Sequence, residues 1–135
     1  MTPSGNETME TVTIEKSKLL KVLIIDDELD ICYLLSGILR QKKLRTSYVN
    51  TLADAEVALK NDPPELLFLD NHLPDGFGLD FIQYIKVNNP AVKIIMITAH
   101  DSAADRKKAF TEGVDFFISK PFTRELIYNT LEKLM

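Results

Sequence analysis

The chain has 135 residues, of which 45% are hydrophobic and 27% charged, and these are the proportions of an ordinary globular domain rather than of a disordered chain. Apolar runs are all shorter than the roughly 18 residues that a transmembrane helix needs, which predicts a soluble protein without membrane contact. A net charge of −4 argues against nucleic-acid binding through bulk electrostatics. The single cysteine, Cys32, excludes an internal disulfide and a cysteine-based zinc site.

The first residues differ in composition from the rest. Residues 1–17 are rich in Thr, Glu, Ser and Gly and contain little apolar surface to offset the entropy of ordering. We therefore predict a flexible N-terminal leader over residues 1–17 and one folded domain over residues 18–135. The start has no basic residue followed by an apolar block, so it is not a signal peptide, and we expect a cytoplasmic protein.

Five segments have the character of β-strands. Val22–Ile25, Leu66–Leu69 and Ile94–Ile97 are short, uninterrupted apolar runs, which is typical of parallel strands covered on both faces. Arg45–Asn50 and Val114–Ile118 mix apolar with polar residues, which indicates edge strands.

Five helical patterns alternate with these strands. They cover residues 29–41, residues 51 to about 60, a stripe of Leu79, Ile82 and Ile85 that ends before Pro90, residues 102–112, and a last helix that begins at Thr123. Alternating strands and helices predict an α/β fold with helices on both faces of the sheet. In such folds, ligands bind at the carboxyl ends of the strands.

Polar side chains follow four of the predicted strands. Asp26 and Asp27 follow the first strand, Asp70 the third, Thr98 the fourth and Lys120 the fifth. Clustered carboxylates repel one another unless a cation is present, and a partly open site with only oxygen ligands suits Mg²⁺. A hydroxyl and an ammonium beside that cation can bind the remaining oxygens of a phosphoryl group. The pattern therefore predicts a Mg²⁺-dependent phosphoryl site.

These motifs closely resemble the signature of response-regulator receiver domains of two-component signalling. The resemblance covers about residues 19–135 and rests on Asp26-Asp27, Asp70 followed by Leu73-Pro74-Asp75-Gly76, Thr98-Ala99, and Lys120-Pro121-Phe122. It implies a flavodoxin-like, doubly wound fold: a five-stranded parallel sheet of order 2-1-3-4-5 with five helices.

The resemblance implies a role for each acidic position. Asp70 corresponds to the phosphoacceptor, a carboxylate nucleophile that forms an acyl phosphate. Asp27 corresponds to the direct Mg²⁺ ligand, and Asp26 acts largely through a metal-bound water. The backbone carbonyl of His72 is the third protein ligand alongside the Asp70 carboxylate.

Other positions correspond to phosphoryl contacts and to the switch. The resemblance implies that Lys120 pairs with the phosphoryl oxygens and that Thr98 donates a hydrogen bond to one of them. Ala99 is small where the phosphoryl group enters, and Pro121 follows a cis peptide bond. Phe117 stands at the family's aromatic switch, often a tyrosine. It lacks the hydroxyl, so a switch role and a plain core role both stay open.

The function implied is that of a phosphorelay signalling module rather than an enzyme acting on free substrates. A histidine kinase or histidine phosphotransfer protein donates the phosphoryl group. The surface of the fourth helix, fifth strand and fifth helix, roughly residues 101–135, contacts a downstream protein or an attached output domain. Homodimerisation on phosphorylation is a further expectation. Direct nucleic-acid binding by this chain is not expected.

Alternatives of other classes fit less well. An aspartate-nucleophile phosphohydrolase would use the same Mg²⁺ chemistry, but such enzymes usually carry a second aspartate two residues after the nucleophile, where this chain has His72. A receiver-like binding module without phosphorylation is disfavoured because no acidic, Thr or Lys position is missing. An FMN-binding flavodoxin relative would need a phosphate loop after the first strand, where Asp26-Asp27-Glu28 would repel a phosphate.

The two histidines flank the predicted site. His72 follows Asp70 by two residues and His100 follows Thr98 by two. Imidazole titrates near neutral pH, so either ring could orient an attacking water or hold the phosphoryl group. We therefore expect both to tune dephosphorylation, against a simpler interpretation as exposed loop residues and a third as ligands for a transition metal such as Zn²⁺.

Overall fold

The structure is a computed structural model and describes residues 20–135. The predicted leader, residues 1–17, lies outside the described residues.

The described residues form seven strands and five helices. In chain order they are β1 (Lys21–Ile25), α1 (Leu29–Gln41), β2 (Arg45–Val49), α2 (Leu52–Asn61), β3 (Leu66–Leu69), β4 (His72–Leu73), β5 (Gly76–Phe77), α3 (Gly78–Asn88), β6 (Lys93–Thr98), α4 (Ala103–Glu112), β7 (Phe116–Ser119) and α5 (Arg124–Leu134). All five predicted helices are present. The five predicted strands are β1, β2, β3, β6 and β7.

The main sheet has five parallel strands in the order β2-β1-β3-β6-β7. This confirms the predicted order 2-1-3-4-5, because β6 and β7 are the fourth and fifth strands of that sheet. The sequence pattern did not predict the short antiparallel hairpin formed by β4 and β5, in which His72 pairs with Phe77. It lies directly after Asp70 and shapes one side of the candidate site.

Two apolar layers cover the two faces of the sheet, as the uninterrupted apolar runs predicted. Leu23 and Ile25 of β1 belong to a cluster that includes residues of α2, α3 and α4. Val22 and Ile24 belong to the opposite cluster, which includes residues of α1 and α5. Successive residues of a strand point to opposite faces, so a strand covered on both sides is apolar at every position.

Helix α1 packs one face against the sheet. Cys32 is fully buried, whereas Ile31 is only half-buried. Burial raises the pKa of the Cys32 thiol to about 11, so the thiol stays protonated at neutral pH. Its sulfur contacts the backbone carbonyl of Asp26 at 3.3 Å and thereby packs α1 against the end of β1.

The edge strands confirm the mixed patterns with small changes of boundary, since β2 ends at Val49 rather than at Asn50 and β7 ends at Ser119 rather than at Ile118. β2 and β7 lie at the two edges of the sheet. β7 begins at Phe116 rather than at Val114, because the backbone N–H of Val114 still bonds to the Ala109 carbonyl at the end of α4. Gly113 ends that helix in the left-handed conformation, with φ of 115°.

Within residues 20–135, no helix is both long enough and apolar enough to cross a membrane.

Candidate functional site

Three carboxylates converge at the carboxyl edge of the sheet. Asp26 and Asp27 directly follow β1, and Asp70 directly follows the neighbouring strand β3. One oxygen of each carboxylate lies within 4.8 Å of the others. The parallel register explains this convergence, because β1 and β3 are hydrogen-bonded neighbours that end at the same level, Ile25 beside Leu69.

The environments of these carboxylates differ. Asp26 and Asp70 are buried, whereas Asp27 is exposed. Burial raises the pKa of Asp26 to about 6, although its bond to Lys120 opposes that rise. Burial also raises the pKa of Asp70, against the opposing charge of Lys120. Burial disfavours the ionised form of both carboxyl groups, and a bound cation would favour it.

Lys120, directly after β7, supplies positive charge to this cluster. Its ammonium lies 2.8 Å from Asp26 Oδ2 and 3.6 Å from Asp70 Oδ2, and 8% of the side chain is exposed. Burial alone would lower the pKa of Lys120, but its bonds to Asp26 and Glu28 raise it to about 12. The amine is therefore a permanent cation at neutral pH.

Glu28 is a member of the site to which the sequence analysis gave no role. Its Oε1 lies 2.7 Å from the Lys120 ammonium, and its backbone N–H donates to Asp26 Oδ1 at 2.9 Å. The Glu28 side chain is 59% exposed, whereas Asp26 is fully buried. Lys120 thus has one fixed partner and one partner that can rotate into solvent. The acidic run at residues 26–28 was visible in the sequence, but its pairing with a residue 92 positions away was not.

Thr98 and Ala99 occupy the end of β6, beside β3. Thr98 is 1% exposed, and its hydroxyl oxygen accepts the backbone N–H of His100 at 3.2 Å. Ala99 is exposed at the rim and, with Asp70 and Lys120, lines a cavity of about 300 Å³. The structure therefore brings both residues to the same edge of the sheet as the three carboxylates.

Helix α3 approaches Asp70 closely, which requires a glycine. A Cβ atom at Gly78 would overlap the backbone carbonyl oxygen of Asp70. The backbone N–H of Gly78 donates to the Asn71 carbonyl at 2.7 Å, and the buried Asn71 side chain accepts the N–H of Leu79 at 2.9 Å. The backbone N–H of Asn71 in turn donates to Asp70 Oδ1 at 2.8 Å. The sequence alone did not predict these contacts of Gly78 and Asn71.

Two further polar residues support the loops around the site. The Asp75 carboxylate accepts the backbone N–H groups of Leu52 and Ala53, which lowers its pKa and joins the β4–β5 hairpin to the start of α2. Asn50 donates its side-chain amide to the Asp26 carbonyl at 2.7 Å. Polar loop residues of this kind fix the backbone from which the carboxylates project.

Phe117 lies inside the core rather than at the surface. Its side chain is buried among residues of the α2, α3 and α4 layer, and 7% of the residue is exposed. The Arg106 guanidinium of α4 lies 5.0 Å from the centre of its ring, which is a cation–π distance. Phe117 therefore connects β7 to α4, the two elements that a switch at this position would move.

The two histidines meet at the mouth of the cavity. Their ring centroids are 3.9 Å apart, and both residues are exposed.

The peptide bond between Lys120 and Pro121 is cis.

The donor set fits Mg²⁺. The three converging carboxylates offer oxygen ligands, and hard divalent cations prefer oxygen ligands at partly open sites. Burial raises the pKa values of Asp26 and Asp70, and a bound cation would favour the ionised form of both carboxyl groups.

Comparison with known proteins decides the family. A family model described as the response regulator receiver domain matches residues 22–132, which is most of the chain. The chain belongs to the receiver domains of response regulators. As a receiver, it belongs to a signalling family whose members combine a flavodoxin-like fold with an acidic pocket at the carboxyl edge of the sheet.

Curated relatives include transcriptional regulators. The chain is 38% identical over 115 residues to the response regulator protein PilR of Pseudomonas aeruginosa, covering 82% of this chain and 26% of PilR. It is 31% identical over 111 residues to the phosphate regulon transcriptional regulatory protein PhoB of Escherichia coli, covering 79% of this chain and 48% of PhoB. The receiver thus spans between a quarter and a half of the length of these two relatives.

Solved receiver structures have the same fold. The beryllofluoride-activated NtrC4 receiver domain dimer matches with a TM-score of 0.80 and 36% identity, covering 84% of this chain and 93% of that one. The receiver domain protein of Methanospirillum hungatei matches with a TM-score of 0.83 over 87% of this chain and 94% of that one. Its 23% identity supports the fold alone.

Proposed function

We propose that this receiver accepts a phosphoryl group on Asp70 from a histidine kinase or a histidine phosphotransfer protein in a two-component phosphorelay. The observation that carries the proposal is the convergence of Asp26, Asp27 and Asp70 within 4.8 Å, with the Lys120 ammonium 3.6 Å from Asp70. These groups supply a nucleophile, a cation site and a fixed positive charge, which are the requirements for moving a phosphoryl group.

Asp70 acts as the nucleophile in this proposal. One carboxylate oxygen forms a bond to phosphorus while the bond between phosphorus and the donor breaks, and the leaving group takes that electron pair. The product is an acyl phosphate on Asp70. The backbone N–H of Asn71 holds the other carboxylate oxygen at 2.8 Å and so fixes the direction of attack.

Asp26, Asp27, Asp70 and the carbonyl of His72 would hold Mg²⁺. The ion would neutralise the carboxylates and draw charge from the phosphoryl oxygens. Asp27 is the exposed carboxylate and the most accessible direct ligand, whereas buried Asp26 is held by Lys120 and fits a role through a bound water.

Lys120 and Thr98 respond to the negative charge of the phosphoryl group. A phosphoryl group adds about −1.5 to −2 charges beside Asp70 and attracts the Lys120 ammonium away from Glu28. The Thr98 hydroxyl, at present an acceptor for His100, can donate to a phosphoryl oxygen. A shift at the ends of β6 and β7 would reach α4 through Phe117, which contacts Arg106. A role for His72 and His100 in the rate of dephosphorylation stays a prediction.

The readout surface in this proposal is formed by α4, β7 and α5, residues 101–135. It would contact a downstream protein or an output domain, as the transcriptional relatives suggest, and the phosphorylated form would pair with a second copy, as in the NtrC4 receiver dimer. We place this activity in the cytoplasm, with no direct nucleic-acid contact by this chain.

The test is incubation with acetyl phosphate and Mg²⁺, followed by measurement of the intact mass. The wild-type protein should gain one phosphoryl group, and Asp70→Asn should gain none. Asp30→Asn is the matched control, because Asp30 is exposed in the first turn of α1 and forms no ion pair within residues 20–135. A wild-type protein that gains no mass, or an Asp70→Asn protein that gains it at the same rate, would refute the assignment.

A further inference from the structure

The two histidines of the chain lie against each other, although they belong to different loops. His72 begins the β4–β5 hairpin, and His100 follows the end of β6. The chain contains no other histidine, yet the centroids of these two rings are 3.9 Å apart, with the ring planes inclined at 43°. Two imidazoles brought together from positions 28 residues apart form a cluster with ligand chemistry of its own.

The surroundings of the two rings leave their nitrogens available. Phe77 packs edge-on against His72, with the ring centroids 5.4 Å apart, so His72 lies between two aromatic neighbours. The backbone of His100 is fixed by its bond to Thr98. Among residues 20–135, no side chain forms a hydrogen bond or an ion pair with either imidazole.

The position of the pair adds carboxylate donors. Both histidines line the cavity of about 300 Å³ that also contains Asp27 and Asp70. Two imidazoles together with a carboxylate are a donor set typical of Zn²⁺ and neighbouring transition metals, whereas Mg²⁺ prefers oxygen alone. The mouth of the cavity therefore offers nitrogen ligands beside an oxygen-only cluster.

We propose that His72 and His100 form a binding site for a divalent transition metal, of the Zn²⁺ class, at the mouth of the acidic cavity. One ion would sit about 2.0–2.1 Å from a nitrogen of each ring, with a carboxylate of the cavity or water completing its coordination. The two rings are adjacent, and the proposal requires rotation about their side-chain bonds to aim one nitrogen of each at the same point. Exposure of both residues leaves room for that rotation.

Occupancy of this site has a consequence for phosphorylation. An ion held between His72 and His100 stands over the entrance through which a phosphoryl donor reaches Asp70, and its ligands join the β4–β5 hairpin to the loop after β6. Bound Zn²⁺ should therefore slow phosphorylation. This second part rests on the proposed function, whereas metal binding itself does not.

The binding test is calorimetric titration of Zn²⁺ into the full chain at saturating Mg²⁺, which occupies the oxygen-only cluster. Wild type should bind one ion. His72→Asn and His100→Asn should each weaken binding by more than about 100-fold, because loss of a residue that only orients a metal ligand already costs about 10- to 100-fold. Co²⁺ in place of Zn²⁺ should give visible absorption bands that are lost in the double variant. Equal Zn²⁺ affinity in wild type and the double variant, or displacement of Zn²⁺ by Mg²⁺, would overturn the proposal.

The phosphorylation test compares the rate of acetyl phosphate labelling with and without Zn²⁺. Zn²⁺ should slow wild type and leave the double variant unaffected. Equal inhibition of both proteins would locate the inhibiting ion in the acidic cluster and overturn the blocking role. If no labelling occurs even without Zn²⁺, the proposed function fails, while the calorimetric result still decides the metal site.

Discussion

The Lys120 ammonium lies 2.8 Å from the fully buried Asp26 carboxylate and 2.7 Å from that of Glu28, so it is closer to both than to Asp70 at 3.6 Å. Before phosphorylation, the Lys120 ammonium therefore forms its two shortest ion pairs with Asp26 and Glu28 rather than with Asp70, the proposed acceptor. Any phosphoryl group on Asp70 has to compete for it, and the exposed Glu28 is the partner that can be released.

Removing the charge of Glu28 should favour the phosphorylated form. Exposed ion pairs contribute about 0.2–1 kcal/mol, so Glu28→Gln should raise the ratio of phosphorylated to unphosphorylated protein by a factor of about 1.5–5 at saturating Mg²⁺. The measurement is the steady-state fraction carrying the extra mass under acetyl phosphate. Glu56→Gln, an exposed change of the same charge in α2 and outside the proposed readout surface, should have no effect. A lower phosphorylated fraction in Glu28→Gln than in this control would contradict the competition.

Lys120 should couple phosphorylation to the readout surface. In Lys120→Ala, Mg²⁺ can still neutralise the carboxylates, so the acyl phosphate should form more slowly but detectably. The amide NMR shifts of residues 101–135 should then change far less on phosphorylation than in wild type. Lys60→Ala, an exposed lysine of α2, is the control and should keep the full response. Shifts in Lys120→Ala that match those of wild type would remove Lys120 from the switch.

Two glycines should respond in opposite ways to alanine. Gly78→Ala would place a Cβ against the Asp70 carbonyl, and overpacking of a rigid site costs about 1–3 kcal/mol of the free energy of unfolding. Gly37 is an exposed position of α1 with open space around it, so Gly37→Ala should stabilise the protein by about 0.5–1 kcal/mol. Urea unfolding measures both. A neutral Gly78→Ala would show that α3 does not need its close approach to Asp70.

The apo protein should gain stability from Asp26 as the pH falls. The folded-state pKa of Asp26 is about 6 against 3.8 for the ordinary group, so between these values the folded state binds more protons than the unfolded state. In a chelator, lowering the pH from about 7.5 to about 5 should stabilise wild type relative to Asp26→Asn by about 1 kcal/mol. Parallel stability profiles for the two proteins would show that burial does not raise the pKa of Asp26.

Saturating Mg²⁺ should abolish this difference in slope. A bound cation favours the ionised carboxylates and so returns the pKa of Asp26 toward its ordinary range. Thermal unfolding of wild type and Asp26→Asn with and without Mg²⁺ measures this directly.

The sequence predicted the parts of the site that depend on strand order. The predicted site residues lie at or just after the carboxyl ends of strands, and parallel strands bring these ends to one edge of the sheet. They are Asp26, Asp27, Asp70, Thr98 and Lys120. The apolar runs were clear because both faces of the sheet are covered. These features follow from local patterns, which a sequence displays directly.

The missed features depend on loop geometry and on side chains far apart in sequence. The β4–β5 hairpin consists of only two residue pairs, too few for a period-two pattern. Asn71 and Gly78 matter because α3 passes over the Asp70 carbonyl, and Glu28 matters because its rotamer reaches Lys120. The contact between His72 and His100 likewise required the positions of two loops, although each was predicted to flank the site.

The central claim is that Asp70 carries the phosphoryl group, and trapping the acyl phosphate tests it most directly. Borohydride reduces an acyl phosphate to an alcohol, which would convert a phosphorylated Asp70 into homoserine and leave free carboxylates unchanged. After treatment with acetyl phosphate and Mg²⁺, peptide mapping by tandem mass spectrometry should find homoserine at position 70 and at no other aspartate. Homoserine at Asp26 or Asp27, or unmodified Asp70 in protein that has gained a phosphoryl group, would contradict the account.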